Sequence, residues 1–159
     1  MVGIITGDIV SSTGIEPAKR QQLYKETSVF LELLKNNYIN SYETFRGDSL
    51  QCKAIHPALT LKIALLIRAF FRAYTGVSTE NVHLKKSKGY YTTKYDIRLA
   101  IGIGETEFIN EEKITSSDGP AFRLSGEALD DLKDKAERLV IKTTDVDFDE
   151  QIEPSILLV

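Results

Sequence analysis

The 159-residue chain has one cysteine, two histidines, one methionine and no tryptophan. A lone cysteine, Cys52, excludes an internal disulfide and a structural zinc site built on paired cysteines. His56 and His83 are too far apart in sequence to make a histidine-rich metal motif. There is no Pro/Gly linker, no repeat and no low-complexity run, so a single domain is expected. No apolar run approaches the ~18 residues of a membrane span. The opening Met1-Val2-Gly3-Ile4-Ile5-Thr6-Gly7-Asp8 lacks a basic segment and sets an acid where a secretory leader would be apolar. It reads as a first strand, with a cytoplasmic protein as the expectation. A net charge of −3 leaves no global electrostatic footprint for nucleic acid. The 23 acids keep open a carboxylate site for a hard cation.

What is present is a clear alternation of patterns. Residues 2–7 read as a short buried strand ended by Gly7, and Ile9–Gly14 as a small polar loop. A helix is expected from about Glu16 with Pro17 in its first turn, carrying Leu23, Phe30, Leu33 and Leu34 on one stripe. Residues 39–46 and 50–55 read as strands joined by a hairpin at Gly47-Asp48. A second helix opens at Pro57 and runs to Tyr74, apolar nearly all round, which implies packing on two sides and a partner subunit as one candidate for the second. Residues 76–94 hold turn formers and several basic residues and read as an exposed loop.

From Ile97 to Gly104 the apolar residues alternate with Arg98, Ala100, Gly102 and Gly104. One face is greasy and the other small, which would admit a ligand or another chain close to the backbone. A third helix is expected over 121–135 and a last strand over 139–143. The order is β-α-β-β-α-β-α-β. It predicts an α+β fold, a ferredoxin-like split βαβ sheet with helices on one face. Residues 1–144 make up that domain. Residues 145–159 are read as a C-terminal tail, whose apolar ending suits the start of a further, helix-turn-helix segment.

Two acids fall at strand ends. In a split βαβ sheet the first strand and the hairpin are neighbours, so Asp8 and Asp48 would converge. With the backbone carbonyl of Ile9, they form an oxygen-rich donor set for Mg²⁺ or Mn²⁺. The hydroxyls of Ser11, Ser12 and Thr13 ahead of a helix suit phosphate, and Arg46 and Arg123 could add guanidinium contacts to it. The competing reading makes Asp8 a cap and Asp48 a turn residue. Cys52 reads as a small buried hydrophobe, and His56 as surface beside Pro57.

These residues carry a resemblance. Asp8-Ile9-Val10-Ser11-Ser12-Thr13 resembles the D-I-x-x-S-T segment of class III nucleotidyl cyclases, and Gly47-Asp48 their G-D hairpin. Ile97-Arg98-Leu99-Ala100-Ile101-Gly102-Ile103 resembles their I-R-x-x-I-G-I strand. The cyclase resemblance covers about residues 1–143, and more closely the set T-G-D-I-V-x-S, F-R-G-D-S, I-G-I-G and G-x-A-F-R-L-S-G resembles the SatD family of bacterial proteins. The resemblance implies a cyclase-like fold, a homodimer with sites at its interface, and Asp8 and Asp48 as metal ligands. It also marks departures. Thr44 stands where cyclases carry a base-reading Lys, Arg123 where they carry a ribose-orienting Asn, and Glu127 where they carry a charge-stabilising Arg. A carboxylate in that last position repels polyphosphate.

The expectation is therefore a regulatory or sensory domain that binds a nucleotide or another phosphorylated small molecule, without cyclase turnover. One alternative is a metal-dependent phosphoryl- or nucleotidyl-transfer enzyme using Arg123. Another is the N-terminal dimerisation or ligand domain of a DNA-binding regulator, with nucleic acid reached through a C-terminal continuation.

Overall fold

The computed structural model describes residues 1–74 and 95–156. The 76–94 loop expectation lies outside the described residues. The elements are β1 (Val2–Ile9), α1 (Pro17–Leu34), β2 (Ile39–Phe45), β3 (Ser49–Ala54), α2 (Thr60–Ala73), β4 (Ile97–Gly104), α3 (Pro120–Leu132), β5 (Leu139–Thr143) and α4 (Val146–Ile156). Short 3-10 turns precede α1, α2 and α3. Pro17 and Pro120 sit in the first turns of their helices, where a missing N–H costs nothing.

The fold is α+β, with a five-stranded mixed sheet in the order β2-β3-β1-β4-β5. β1 lies at the centre and pairs antiparallel with both β3 and β4. β2 pairs antiparallel with β3, and β5 runs parallel to β4. Alternation along β1 and β4 divides the core in two. Ile5, Ile9, Ile97, Leu99 and Ile101 pack with Leu23, Leu31 and Leu34 of α1 and with Ile63, Ile67 and Phe71 of α2. Phe30 of α1 stacks on Phe70 of α2, with ring centroids 4.5 Å apart. The core stripe of α1 is Leu23, Thr27, Leu31 and Leu34, while Leu33, expected inside, is exposed.

The expectation of helices on one face is corrected here. α1 and α2 share one face, and α3 covers the other. A single hand for all three crossovers would have put all three helices together. The small face of β4 explains the outcome. A Cβ added at Gly102 would lie 2.1 Å from the Ala121 carbonyl oxygen and 2.7 Å from the Ser125 nitrogen, so the α3 backbone rests directly on the strand. What approaches that face closely is therefore this chain's own helix. Ala100, Ala128 and Leu129 fill one part of the contact, and Ile4, Ile114, Ala121 and Phe122 another. The buried hydroxyls of Thr6 and Ser125 bond across it at 2.9 Å.

Residues 146–156 form α4, which packs on β5. The buried Asp149 carboxylate accepts the Thr143 N–H at 2.9 and 3.0 Å, and Ile156 joins the main core. Among the described residues no helix is long and apolar enough to cross a membrane.

Candidate functional site

The site is one end of the sheet, where β1 and the β2–β3 hairpin finish side by side. Asp8 pairs in register with Ser49 of β3 on one side and Arg98 of β4 on the other. In-register residues of neighbouring strands share a face, so Asp8 and Arg98 meet. Arg98 Nε donates to Asp8 Oδ1 at 2.9 Å and Nη2 donates to Oδ2 at 2.7 Å. Both side chains are about one-sixth exposed. Arg98 Nη1 also donates to the Lys133 carbonyl at the end of α3, at 3.2 Å. The Asp8 hydrogen bond raises the Arg98 pKa further, against the opposing effect of burial.

Asp48 closes a hairpin in which Arg46 and Gly47 take positive φ values of 55° and 83°. A Cβ at Gly47 would lie 2.7 Å from the Tyr24 ring, so glycine is required there for space as well as for backbone. The Asp48 carbonyl accepts the Ile9 N–H at 2.8 Å. Its carboxylate Oδ2 accepts the hydroxyl of the buried Ser12 at 2.6 Å, and Oδ1 accepts that of Ser49 at 3.4 Å. Arg20 Nη1 reaches the Ser12 carbonyl at 3.5 Å. Burial, then the Asp48 charge, raises the Tyr24 phenol above its ordinary value. A small cleft beside this turn is lined by Tyr24, Thr27, Thr44, Gly47, Asp48 and Phe71.

Most of the residues singled out in the sequence thus gather at this end: Asp8, Ile9, Ser11, Ser12, Thr13, Arg46 and Asp48. Their arrangement differs from the expectation in three ways. First, Asp8 ends its strand beside the turn that carries Asp48, but the two are held by different partners, Arg98 and Ser12. Second, the Ser12–Gly14 segment is a 3-10 turn separate from α1, and the amides of Gly14 and Ile15 serve the turn itself. Gly14 N–H donates to the Ser11 carbonyl and Ile15 N–H to the Ser12 carbonyl. Ser11 and Thr13 are exposed, with Ser11 at φ 53°. Third, Arg123 is at the opposite end of the sheet, where β4 finishes. It pairs there with Glu107 at 2.6 Å and Asp118 at 2.9 Å.

Mg²⁺ is commonly held by one or two carboxylates plus phosphate oxygens. The Arg98 guanidinium occupies both oxygens of Asp8, so a two-carboxylate centre does not fit these residues as they are arranged. Of the two, Asp48 keeps its carboxylate on the hydroxyls of Ser12 and Ser49. Among the described residues there is no cluster of three or more His, Cys, Asp or Glu side chains that could hold a metal.

The sequence reading gave no role to Arg98, Tyr24 or Arg20. Arg98 was visible as the large polar residue on a small strand face, but its partner lies 90 residues away and only the strand register reveals it. Cys52 is fully buried, and burial pushes its thiol up to about 12, which removes it as a nucleophile. His56 Nδ1 accepts the Ala58 N–H at 3.2 Å and caps the turn before α2. No family model matches the chain, and no curated protein matches it in sequence.

Proposed function

We propose that this chain is a SatD-type regulatory domain that binds a nucleotide or another phosphorylated small molecule. The ligand sits at the sheet end formed by Ile9–Thr13, the Arg46–Asp48 hairpin and Arg98. The observation that carries the reading is the strand order. A central β1 flanked by antiparallel β3 and β4, with α1 and α2 on one face, is the order of a ferredoxin-like split βαβ sheet. It brings the two acids of the cyclase-like motifs to one end. The order supports a cyclase-like relationship, to which β5 and α3 are added on the far side.

Within that reading Asp48 holds the divalent cation, Mg²⁺ or Mn²⁺, that accompanies the phosphates. Asp8 serves instead as the counter-charge that fixes Arg98. Arg46, at the exposed hairpin tip, supplies positive charge toward the ligand. Turnover is not part of the proposal. Arg123 lies at the far end and is engaged with Glu107 and Asp118, so it brings no charge to the acids within one chain. A homodimer and a cytoplasmic location remain parts of the same reading.

The test is a calorimetric titration of ATP and of GTP, each with Mg²⁺ and with EDTA, on wild type and Asp48→Asn. Metal-dependent binding that is lost in Asp48→Asn is expected. Binding by neither nucleotide, or binding indifferent to both the metal and Asp48, would refute the assignment.

A further inference from the structure

A cavity of about 180 Å³ is lined by the end of α3, by β5 and by α4. It shares no residue with the Asp48 end. Its apolar wall is Leu132, Leu139, Ile141, Ile152 and Ile156. Leu132, Leu139 and Ile156 are themselves buried, so the wall is fixed by packing. A cavity of about 150 Å³ lined by such side chains takes up benzene. This one therefore has space for one ring or one branched aliphatic group.

The polar groups of the cavity are a strand edge and two pairs of charges. β5 is the outermost strand on its side of the sheet. Along a strand, the backbone groups of successive residues turn to opposite sides. The Arg138 carbonyl turns inward, accepting the Leu99 N–H at 2.9 Å, and the Thr143 N–H turns outward to Asp149. By alternation the N–H and C=O groups of Leu139 and Ile141 also turn outward. Among the described residues nothing pairs with them, so they keep the bonding capacity of an open edge. Lys135, Lys142, Glu137 and Glu153 also line the cavity. Among the described residues none of these four side chains is held in an ion pair or a hydrogen bond.

We infer that this cavity binds a free apolar α-amino acid, of the leucine or phenylalanine class, as its zwitterion. The side chain fills the apolar wall. The carboxylate accepts from the outward N–H groups of β5 and faces lysine, while the ammonium donates to the outward carbonyls and faces glutamate. These are the bonds a neighbouring strand would make with the same edge. Lining of both signs suits a zwitterion better than a fatty acid or an amine, either of which leaves a like charge unopposed.

The test is calorimetry with L-leucine and L-phenylalanine on wild type, Lys142→Gln, Lys142→Arg and Ile152→Phe. Isocaproate and isoamylamine, leucine analogues that each lack one charge, serve as comparison ligands. Saturable binding of an amino acid, roughly tenfold tighter than either analogue, is expected, the scale of one lost hydrogen bond to a charged group. Lys142→Gln should weaken binding by a similar factor, and Lys142→Arg should recover part of that loss. Ile152→Phe fills the cavity and should abolish binding while the urea midpoint stays near that of wild type. Binding of neither amino acid, equal affinity for the analogues, or affinity unaltered in both Lys142→Gln and Ile152→Phe would overturn the inference. No residue of the Asp48 end enters it, so it and the nucleotide reading can fail separately.

Discussion

Gly102→Ala probes the face on which α3 packs. The new Cβ would sit 2.1 Å from the Ala121 carbonyl oxygen, where ordinary contact begins at 3.4 Å, so the deficit exceeds an ångström. Its nearest atoms belong to the α3 backbone, so no side chain can rotate away. The helix must lift from β4, which also stretches the Thr6–Ser125 hydrogen bond. Overpacking of this severity costs about 3 kcal/mol, and a lost buried hydrogen bond adds about 1 kcal/mol. The sum is a large share of the ~5–15 kcal/mol that holds a typical domain folded. With a urea dependence of about 2 kcal/mol per molar, the unfolding midpoint should fall by about 2 M. Gly126→Ala, in the same helix with nothing within 4 Å of its Cβ, is the control. It should stabilise by about 0.5–1 kcal/mol. A loss under ~1 kcal/mol for Gly102→Ala would refute the direct seating of α3 on the strand.

Three further outcomes are expected. Asp8→Asn leaves the mostly buried Arg98 without its counter-charge and should cost about 2–3 kcal/mol, somewhat below a fully buried pair; chemical denaturation showing no loss would contradict the Asp8–Arg98 assignment. Lys53 donates to Glu111 at 2.8 Å and holds its carboxyl below the ordinary value. Glu111 therefore adds stability above the ordinary carboxylate pKa, and this is lost as pH falls through its lowered one. The difference in melting temperature between wild type and Glu111→Gln should accordingly shrink on acidification, and a difference that grows would count against it. Cys52 should be silent to a thiol reagent until the protein unfolds, so rapid labelling of the native chain would contradict its burial.

Much of the fold was legible because its cues are local. The 97–104 and 139–143 strands follow from alternation, and Pro17 and Gly47 mark a helix start and a hairpin that the structure reproduces. The helical tail was less visible, since Asp145–Glu150 reads equally as acidic loop until Asp149 is seen capping the β5 edge. The face taken by α3 was not legible. Alanine and glycine on one strand face say that something comes close, not whether it is a ligand, a second chain or a helix of the same chain. At the site, the gathering of Asp8, Ser12 and Asp48 could be anticipated from topology. The capture of Asp8 by Arg98 could not, since one residue of register decides whether they meet or point to opposite faces. Arg123 shows the reverse failure, where a motif position near the acids in a family pattern lies at the other end of this sheet.

The central claim is that ligand binds at the Asp48 end. An amide-resolved NMR titration with Mg²⁺-ATP and Mg²⁺-GTP tests it most directly. Saturable shifts confined to Ile9, Ser12, Gly14, Gly47 and Asp48 and their neighbours, absent in Asp48→Asn, are the expected result. No shifts at all, or shifts centred on Glu107, Asp118 and Arg123 at the opposite end, would contradict it.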